Sequence, residues 1–468
     1  MSPIGTESNP LRVAIIGAGP TGFYSAGHLL DQKKVMVEVD MYERLPTPFG
    51  LVRYGVAPDH QKIKSVTKVF DKIASNPRFR FFGNVELGKH ISVADLRQFY
   101  HQIIYTTGAQ TDKRMGIPGE DLQGSHPATE FVAWYNGHPD FRDYQFDLSQ
   151  ECVAVVGVGN VAVDVARILC RTPEELAKTD IADYALEALR HSRVKEVYIL
   201  GRRGPAQAAF TNPEVKELGE MADTDAFTRT DEVKLDPLSE ASMAANADRA
   251  TARKVEILQS YADRQPTGKS RRLTLRFLVS PLELMGDEQG QVVAMKIVKN
   301  KLVASDAGSL RPQATDEYET LPVGLVFRSI GYNGVPLPDV PFHHKWGVIL
   351  NRAGRVIDES QEPVVGEYTA GWIKRGPSGV IGTNKPDALE TVECMLADLE
   401  KGVILSPEQP DRDAAAAFVA TRQPAFFSYA DWLKADEMEV ANGQAVGRPR
   451  IKFINAEEIA AAIGKKMT

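Results

Sequence analysis

The chain has 468 residues, of which 43% are hydrophobic and 25% charged, and its formal net charge is −7. This length accommodates two or three domains with sizeable cores, and the balance of residues is that of a globular protein. The negative charge argues against a general nucleic-acid binder, which would normally be basic. No apolar run approaches the roughly 18–20 residues of a membrane span, and no signal peptide is recognisable. We therefore expect a cytoplasmic protein without an integral membrane segment.

A complete βαβ unit opens the chain. Leu11–Ile16 (LRVAII) is a short apolar run typical of a parallel strand buried on both faces, and it ends in the turn GAGPTG at residues 17–22. Helical character follows to Leu30, and a second strand is predicted from Val35 to Tyr42. The acid Glu43 comes next, 21 residues after Gly22. Strand, GxGxxG turn, helix, strand and acid together predict a dinucleotide-binding unit.

The glycines and the acid of this unit have separate tasks. Gly17 permits the tight turn, Gly19 leaves room for a pyrophosphate, and Gly22 lets the helix pack close to the strand. The helix N-terminus offers free N–H groups and a partial positive charge to the phosphates. The carboxylate of Glu43 can accept hydrogen bonds from both ribose hydroxyls. This favours a nucleotide without a 2′-phosphate, FAD or NAD.

The same pattern returns after Ser149, with one difference in charge. The sequence predicts a strand at Cys152–Val156, a turn GVGNVA at residues 157–162, a helix to Leu169 and a later strand at Glu196–Leu200. This second unit ends in Arg202-Arg203 and not in an acid. Two guanidinium groups bind a 2′-phosphate bidentately, whereas a carboxylate would repel it. The second unit is therefore predicted to bind NADP(H).

The rest of the chain carries weaker signals. Residues 220–248 are acidic and loop-like, and residues 249–272 are rich in cations. Antiparallel strands are predicted over 273–302, with a turn at 286–290, a further strand over 324–330 and a helix over 385–399. Beyond about residue 406 the sequence is an extension of helical and polar character in which we find no motif.

Cysteine and histidine give no sign of a redox disulfide or a metal site. Cys152, Cys170 and Cys394 lie far apart, without a CxxC or CxxxxC pair. They are predicted to be buried structural thiols in a reducing compartment. The nine histidines show no ligand spacing, so we predict no metal site. The cysteine pattern also excludes an iron–sulfur cluster within the chain.

Four long segments resemble the adrenodoxin reductase family of FAD-containing NADPH:ferredoxin (adrenodoxin) oxidoreductases. These segments are GLVRYGVAPDH (50–60), GVGNVAVDVARIL (157–169), GRRGPAQAAFT (201–211) and GWIKRGPSGVIGTNK (371–385), and the likeness runs from about Arg12 to Leu399. It implies an α/β fold with two Rossmann-like dinucleotide-binding domains, similar to glutathione reductase but without the redox disulfide. An FAD domain over 1–110 and 325–468, with a C-terminal extension from about 406, would be interrupted by an NADP domain over 111–324.

The resemblance also implies roles for individual residues. On the FAD side it implies Gly17, Gly19, Thr21, Gly22, Glu43, Leu51, Val85, Trp372, Gly379, Val380 and Ile381. On the NADP side it implies Val158, Gly159, Asn160, Val161, Arg202, Arg203, Glu214 and Gly379. The loop 50–60 would cover the flavin, with Leu51 meeting FAD through its backbone and Val85 meeting the adenine through its main chain. The amides of Gly379, Val380 and Ile381 would face the pyrimidine edge of the flavin.

Two residues of this scheme have more than one interpretation. His60 resembles the histidine near the flavin ring, and Glu217 resembles its carboxylate partner from the NADP domain. They are either a proton relay or a hydrogen bond that orients the domains. For Arg53 we predict no more than a salt bridge between the domains. The sequence departs from the family at Ala206 and at Asn212-Pro213, and the proline puts the role of Glu214 in question.

The predicted reaction is that of a ferredoxin–NADP⁺ reductase. A hydride passes from NADPH to N5 of FAD, and single electrons then pass to a ferredoxin-type iron–sulfur protein, which must be a separate partner. The cations of 249–272, or Lys216 and the arginines near it, are either a docking surface for an acidic ferredoxin or a solvated face. The alternatives are an electron-input subunit of a larger, glutamate synthase-like complex and a non-catalytic flavin- or NADP-sensing module. A disulfide reductase is disfavoured because the cysteine pair is missing.

Overall fold

The computed structural model describes residues 3–246, 248–306 and 308–467. The chain divides into two compact units. The first unit comprises Met1–Thr111, Asn136–Pro139 and Tyr332–Thr468, and the second comprises Asp112–Tyr135 and Asp140–Gly331. Within the described residues, no helix combines the length and the apolar character needed to cross a lipid bilayer.

The strands and helices follow one another in three stretches of chain. The first stretch contains β1 (Leu11–Ile16), α1 (Pro20–Leu30), β2 (Val37–Glu43), α2 (Leu51–Tyr54), α3 (Gln61–Lys64), α4 (Thr67–Ala74), β3 (Phe79–Gly83), α5 (Val93–Phe99) and β4 (Gln102–Tyr105). The middle stretch contains β5 (Thr111–Asp112), β6 (Ser125–Pro127), α6 (Ala128–Tyr135), β7 (Cys152–Val156), α7 (Asn160–Cys170), α8 (Pro173–Leu176), α9 (Asp183–Arg190), β8 (Glu196–Leu200), α10 (Asn212–Leu218), β9 (Thr224–Thr228), α11 (Thr230–Val233), α12 (Pro237–Asn246), α13 (Arg249–Ala262), β10 (Arg271–Arg276), β11 (Val279–Gly286), β12 (Val292–Ala304), β13 (Leu310–Leu321) and β14 (Leu325–Arg328). The last stretch contains β15 (Tyr332–Asn333), β16 (Phe342–His343), β17 (Val348–Ile349), β18 (Asn351–Arg352), β19 (Arg355–Ile357), β20 (Pro363–Thr369), α14 (Trp372–Arg375), α15 (Asn384–Glu400), α16 (Arg412–Arg422), α17 (Tyr429–Gln444) and α18 (Ala456–Ile463). Short 3₁₀ turns occur at Pro139–Phe141, Pro205–Gln207 and Ile381–Thr383.

The first unit is built on a seven-stranded sheet in the order β18-β19-β20-β4-β1-β2-β3. Its five strands from β20 to β3 are parallel, and β18 and β19 add an antiparallel edge. Both faces of β1 are buried, because Val13 and Ile15 enter one apolar cluster and Ala14 and Ile16 enter another. This explains why β1 reads as a continuous apolar run, as parallel strands covered on both sides do.

The second unit is built on a six-stranded parallel sheet in the order β6-β14-β7-β8-β10-β9. Val153 and Val155 face a core made with helices such as α7, whereas Ala154 and Val156 face the antiparallel sheet β11-β12-β13. One face of the parallel sheet is thus covered by helices and the other by a second sheet. The strands β1, β7 and β8 have the predicted bounds, and the α/β class with two Rossmann-like sheets is confirmed.

Three parts of the sequence interpretation were wrong. Residues 220–248 are not a loop, since they contain β9, α11 and α12. The first predicted antiparallel strand contains β10, which instead joins the parallel sheet between β8 and β9. β9 (TDAFT) has too few apolar residues to give a strand signal, and it is recognisable only through its pairing with β10. The predicted boundary at 325 also moves to Tyr332, because β14 pairs with β7 in the second sheet.

The C-terminal extension is part of the first unit's core. Phe427 pairs with Gly83 at the end of β3. Phe427, Trp432 on α17 and Ile459 on α18 are buried in the same apolar cluster as Phe23. The segment that has no sequence motif therefore completes one face of the first sheet.

Candidate functional site: two phosphate turns

The first phosphate turn follows β1 and leaves its central glycine open. Gly17 has φ +106°, and a Cβ there would lie 2.9 Å from the carbonyl oxygen of Thr106. A Cβ on Gly22 would overlap the carbonyl oxygen of Gly17, so that only glycine lets α1 approach the turn. A Cβ on Gly19 would meet no atom of the described residues within 4 Å. Gly19 is thus not required by protein packing, and the space beside it is what a pyrophosphate needs.

The helix that begins at this turn presents its N-terminus to the open space. α1 starts after Gly19 with Pro20 in its first turn, and no side chain in the described part of the chain caps it. Its free N–H groups and partial positive charge are therefore available to a bound anion. Thr21 is buried in the same turn and packs against Gly371, where a Cβ would overlap the Thr21 hydroxyl. The structure thus brings together the predicted residues Gly17, Gly19, Thr21 and Gly22.

Glu43 stands at the end of β2 and is tied to the turn. Its Oε2 accepts a hydrogen bond of 2.9 Å from the amide of Ala18, and its Oε1 accepts one of 3.1 Å from the amide of Leu45. Burial raises the pKa of Glu43, and these two amide donors partly oppose that rise. Each carboxylate oxygen has further acceptor capacity, which fits two ribose hydroxyls. The amide of Val85 donates to the carbonyl of Glu43 at 2.9 Å, so Val85 lies beside the acid.

The loop that resembles the flavin cover packs against the same turn. Phe49 and Gly50 both have positive φ, 84° and 47°. The amide of Phe49 donates to the carbonyl of Ala18 at 2.8 Å, and a Cβ on Gly50 would lie 2.9 Å from the Cα of Gly19. Leu51 follows at the start of α2 and is 43% exposed. A large apolar side chain left this open beside a phosphate turn suits contact with a ligand.

The segment from Gly371 to Asn384 packs against α1, and hydrogen bonds from charged side chains hold it in place. The amide of Gly371 donates to the carboxylate of Asp387 in the first turn of α15. Arg375 donates to the carbonyl of Ser378 at 2.7 Å and to the side chain of Asn384 at 3.0 Å. These two hydrogen bonds hold both ends of the loop that contains Gly379, Val380 and Ile381. Val380 is exposed, and Ile381 is half-buried.

Arg375 and Asp387 were missed by the sequence interpretation. Arg375 lies within the motif GWIKRGPSG, and an arginine directly before a glycine-rich turn is the signal that could have identified it as a brace. Trp372 stacks on Tyr332 with ring centroids 6.3 Å apart, and its indole N–H donates to the carbonyl of Ser378 at 3.1 Å. The tryptophan is thus fixed in orientation by the same loop.

The second phosphate turn repeats the first. Gly157 has φ +134°, and a Cβ there would overlap the carbonyl oxygen of Ser329. Within residues 3–246, 248–306 and 308–467, a Cβ on Gly159 would meet nothing within 4 Å, and α7 begins after Gly159 without a side-chain cap. The third position is the fully buried Ala162. The turn therefore has the same open centre and the same uncapped helix as the first one.

The segment after β8 is anchored on the second turn. The carbonyl of Val158 accepts hydrogen bonds from the amides of Ala209 and Phe210 at 2.8 and 3.0 Å. The side chain of Asn160 accepts one from the amide of Thr211 at 2.9 Å. Val161 is half-buried against the second unit's core. The motif GRRGPAQAAFT is thus held against the phosphate turn, and its two arginines lie at its N-terminal end, shortly after β8.

Arg202 and Arg203 are anchored by their backbone and not by acids. The carbonyl of Arg202 accepts from the side chain of Asn300 at 2.9 Å, and that of Arg203 accepts from the amide of Leu278 at 3.1 Å. Among the described residues, neither guanidinium group has an ion-pair partner. Burial, and then repulsion from Arg202, lower the pKa of Arg203. Two adjacent uncompensated cations at the end of β8 fit a phosphate dianion.

Glu214 lies in a buried charge cluster of the second unit. Arg167 on α7 is fully buried and donates to Glu214 at 3.1 Å and to Asp164 at 2.7 Å. Its Nε lies 3.9 Å from the Oε2 of Glu217, which is more exposed. Pro213 occupies the first turn of α10, where a helix needs no donor, so it does not disturb Glu214. Arg167 was missed because its buried partners are not apparent from the motif that contains it.

His60 precedes α3 in the first unit and is half-buried. Glu217 belongs to the second unit, and the pairing of these two residues stays a prediction. The predicted interdomain partner of Arg53 was wrong. Arg53 instead forms a buried ion pair with Glu439 of its own unit, at 2.5 and 2.8 Å.

Most cations of the stretch 249–272 have a partner within the protein, three of them with acids and three with backbone carbonyls. Arg253 pairs with Glu256 at 2.8 Å, and Lys254 donates to the carbonyl of Ala208. The remaining cations with partners are Arg264, Lys269, Arg271 and Arg272. In the described part of the chain, Arg249 alone of this stretch has no such contact. The stretch thus does not form a continuous free cationic surface.

The three cysteines are free thiols, but the prediction that all three are buried was wrong, because Cys152 and Cys394 are half-buried and Cys170 alone of the three is buried. Cys170 lies at the buried end of α7, and burial raises the pKa of its thiol to about 12. Burial also raises the pKa of Cys152. Thiols that stay protonated are poor nucleophiles, which agrees with structural and not redox roles.

Comparisons with known proteins match this geometry. The family model "Pyridine nucleotide-disulphide oxidoreductase" matches residues 11–217. NADPH-ferredoxin reductase FprA of Mycobacterium leprae is 46% identical over 96% of this chain and 97% of its own length. Human mitochondrial NADPH:adrenodoxin oxidoreductase is 40% identical over 98% of this chain and 93% of its own length. A solved structure of Mycobacterium tuberculosis FprA in complex with NADPH superposes with a TM-score of 0.90 at 44% identity, covering 97% of this chain and 100% of that one. The chain therefore belongs to the adrenodoxin reductase family of NADPH-ferredoxin reductases.

Proposed function

We propose that this chain is an NADPH-dependent ferredoxin reductase that holds FAD in its first unit and NADP(H) in its second. The observation that carries the proposal is the opposite charge at two equivalent positions. Glu43 ends the second strand of the first βαβ unit, whereas Arg202 and Arg203 follow shortly after the corresponding strand of the second. A carboxylate favours a bare ribose, and paired guanidinium groups favour a phosphorylated one.

In the FAD site, the residues around the first phosphate turn leave space for the ligand and offer free N–H donors to it. The open side of Gly19 and the uncapped N-terminus of α1 would receive the pyrophosphate. Glu43 would hold the ribose, while Leu51 and Trp372 would contact the flavin. When bound, FAD accepts a hydride from NADPH and releases its electrons singly, which couples a two-electron donor to a one-electron acceptor.

The NADP site uses the second turn in the same way. Gly159 and the N-terminus of α7 would bind the pyrophosphate, and Arg202 with Arg203 would bind the 2′-phosphate. Because the two arginines repel each other, binding a dianion relieves an unfavourable interaction that exists without it. Glu214 and Gly379 are proposed to meet the nicotinamide end. His60 and Glu217 are proposed as a proton relay or as a pair that orients the two units.

The electron acceptor in this proposal is a separate ferredoxin-type protein. The three cysteines cannot supply a cluster, since an iron–sulfur site of the common type uses four thiolates. The same free thiols support a reducing, cytoplasmic compartment. Among the described residues, three cations of the stretch 249–272 pair with acids, so we expect ferredoxin docking to depend only in part on this stretch.

The test is anaerobic reduction of the purified protein, followed by transfer of electrons to a ferredoxin. The protein should contain close to one FAD per chain, bleach rapidly with NADPH and slowly with NADH, and then reduce added ferredoxin. The Cys170→Ala variant is the matched control, because it should do all three as well as the parent. A protein that takes up no flavin, or that is bleached without reducing any ferredoxin tested, would refute the proposal.

A further inference from the structure

The loop that packs on the first phosphate turn is fastened at its other side by a buried ion pair. Arg53, in the single helical turn α2, has only 4% of its side chain exposed, and Glu439 on α17 has 0%. Their two hydrogen bonds, 2.5 and 2.8 Å, form a bidentate guanidinium–carboxylate contact. Burial disfavours the charged form of Arg53, but Glu439 more than offsets this, and the pKa of Arg53 is raised.

The Glu439 carboxylate also accepts hydrogen bonds from the segment that follows α17. Its Oε1 accepts from the amide of Phe453 at 2.8 Å, and its Oε2 accepts from Arg450 at 3.1 Å. The carbonyl of Phe453 in turn accepts from Arg53 at 3.1 Å. The carbonyl of Arg53 accepts from the buried ammonium group of Lys452 at 3.1 Å. Both the side chain and the backbone of Arg53 are thus held by the segment Tyr429–Phe453, which we call the C-terminal clamp.

Aromatic contacts complete the clamp. The guanidinium carbon of Arg53 lies 5.1 Å from the ring centre of Trp432 on α17. The ring of Trp432 also meets Phe49 edge-on with centroids 5.7 Å apart. Phe49 is the residue whose amide bonds to the phosphate turn and whose φ is +84°. A non-glycine residue keeps such a backbone only where its surroundings impose it.

The loop 49–56 is therefore fixed on two sides. The first phosphate turn contacts it at Phe49 and Gly50, and the clamp contacts it at Phe49 and Arg53. Leu51, between these anchors, is left 43% exposed. The ion pair is bidentate and buried, and removing one partner is strongly unfavourable because it leaves the other charge buried without compensation.

We infer that the C-terminal clamp positions the loop 49–56 for the flavin, and that Glu439 is a positioning residue for the FAD site. The inference rests on the proposed function, since it concerns the same flavin. In the part of the chain that the structure describes, the Glu439 carboxylate bonds to Arg53, Arg450 and Phe453 and not to the phosphate turn or to Leu51. It acts through Arg53, so its loss changes the conformation of the loop and hence the surroundings of the flavin ring.

The test is the Glu439→Gln variant, which keeps the shape of the side chain but turns an NH₂ donor toward N–H groups. We expect FAD to dissociate with a Kd at least tenfold higher, the visible absorption maximum of the flavin to shift, and kcat for NADPH-dependent dye reduction to fall with little change in KM. Hydrogen exchange of the amides of 49–56 should accelerate. The matched control is Asp398→Asn, which breaks the ion pair with Arg355 at the far end of α15, about 21 Å of helix from Asn384.

The outcomes separate the inference from the proposed function. A parent protein that binds no FAD would refute the proposed function, while the exchange rates of 49–56 would still test the clamp. A parent that binds FAD, with Glu439→Gln unchanged in Kd, spectrum and exchange, would overturn the inference. An equal effect of Asp398→Asn would also overturn it, because the effect would then be general destabilisation. If Glu439→Gln does not fold, Arg450→Met removes one donor to Glu439 and should give the same changes at smaller amplitude; no change would count against the clamp.

Discussion

Replacement of Arg202 and Arg203 by alanine should abolish the preference for NADPH over NADH. Neither guanidinium group has an internal carboxylate partner among the residues that the structure describes, so neither contributes a buried ion pair to the fold. The backbone of both residues is held by Asn300 and Leu278, and these contacts survive truncation of the side chains. The substitutions therefore remove phosphate contacts without removing the loop.

The expected magnitude follows from the hydrogen bonds at stake. A hydrogen bond to a charged group contributes roughly 1.5–3 kcal/mol, which corresponds to roughly 10- to 150-fold in kcat/KM. Each single variant should lose about that factor with NADPH, and the double variant should lose more than either. With NADH, which has no 2′-phosphate, kcat/KM should change by less than about threefold on the same reasoning.

The assay is stopped-flow reduction of the flavin with each nucleotide in the parent, the two single variants and the double variant. Arg272→Ala serves as the control, because Arg272 is an exposed arginine on the neighbouring strand β10 that already pairs with Glu196 at 3.7 Å. It should leave both rates unchanged. A proportional loss of rate with NADPH and NADH in the double variant would refute the assignment of the two arginines to the 2′-phosphate.

Three further predictions concern nucleotide binding, thiol chemistry and pH. Gly159→Val should retain the stability of the parent but lose NADPH affinity, since a Cβ there meets no atom of the described residues within 4 Å, whereas Gly157→Val should unfold the second unit; thermal melts and NADPH titration separate the two cases. Cys170→Ala should leave turnover unchanged, because a thiol with a pKa of about 12 is protonated at neutral pH; loss of dye reduction would contradict this. Burial lowers the pKa of His101 from 6.5 to about 4. The contribution of the neutral His101 to the free energy of unfolding should therefore be fully present above about pH 6.5 and should decrease by about 3 kcal/mol as the pH falls to 4. Denaturant unfolding at pH 7 and pH 4.5 should show this loss of stability in the parent and a smaller loss in His101→Gln.

The sequence predicted the parts of the molecule whose signal is local. β1, β7 and β8 are short apolar runs that end in glycine turns or arginines, and their bounds matched the structure. The roles of Gly17 and Gly157 follow from the positive φ that a tight turn requires. The charge contrast between Glu43 and Arg202-Arg203 was also readable, because both positions are defined by the strand before them.

The sequence did not predict features that arise from contacts between distant segments. The strand β9 is defined by its parallel neighbour β10, more than forty residues later, and has little hydrophobic signal of its own. The ion pair of Arg53 with Glu439 joins residues 386 positions apart, and nothing in either local sequence indicates the other. The C-terminal extension lacks a motif for the same reason, since its residues serve to complete a core and hold a loop.

The most direct measurement of the central claim is the electron balance of a single turnover. One equivalent of NADPH is added anaerobically to the FAD-loaded protein with excess oxidised ferredoxin, and the absorbance of the flavin and the ferredoxin is followed. The account predicts rapid flavin bleaching followed by reduction of two equivalents of ferredoxin and recovery of oxidised flavin. Flavin that is reduced equally fast by NADH, or that stays reduced while ferredoxin remains oxidised, would contradict it.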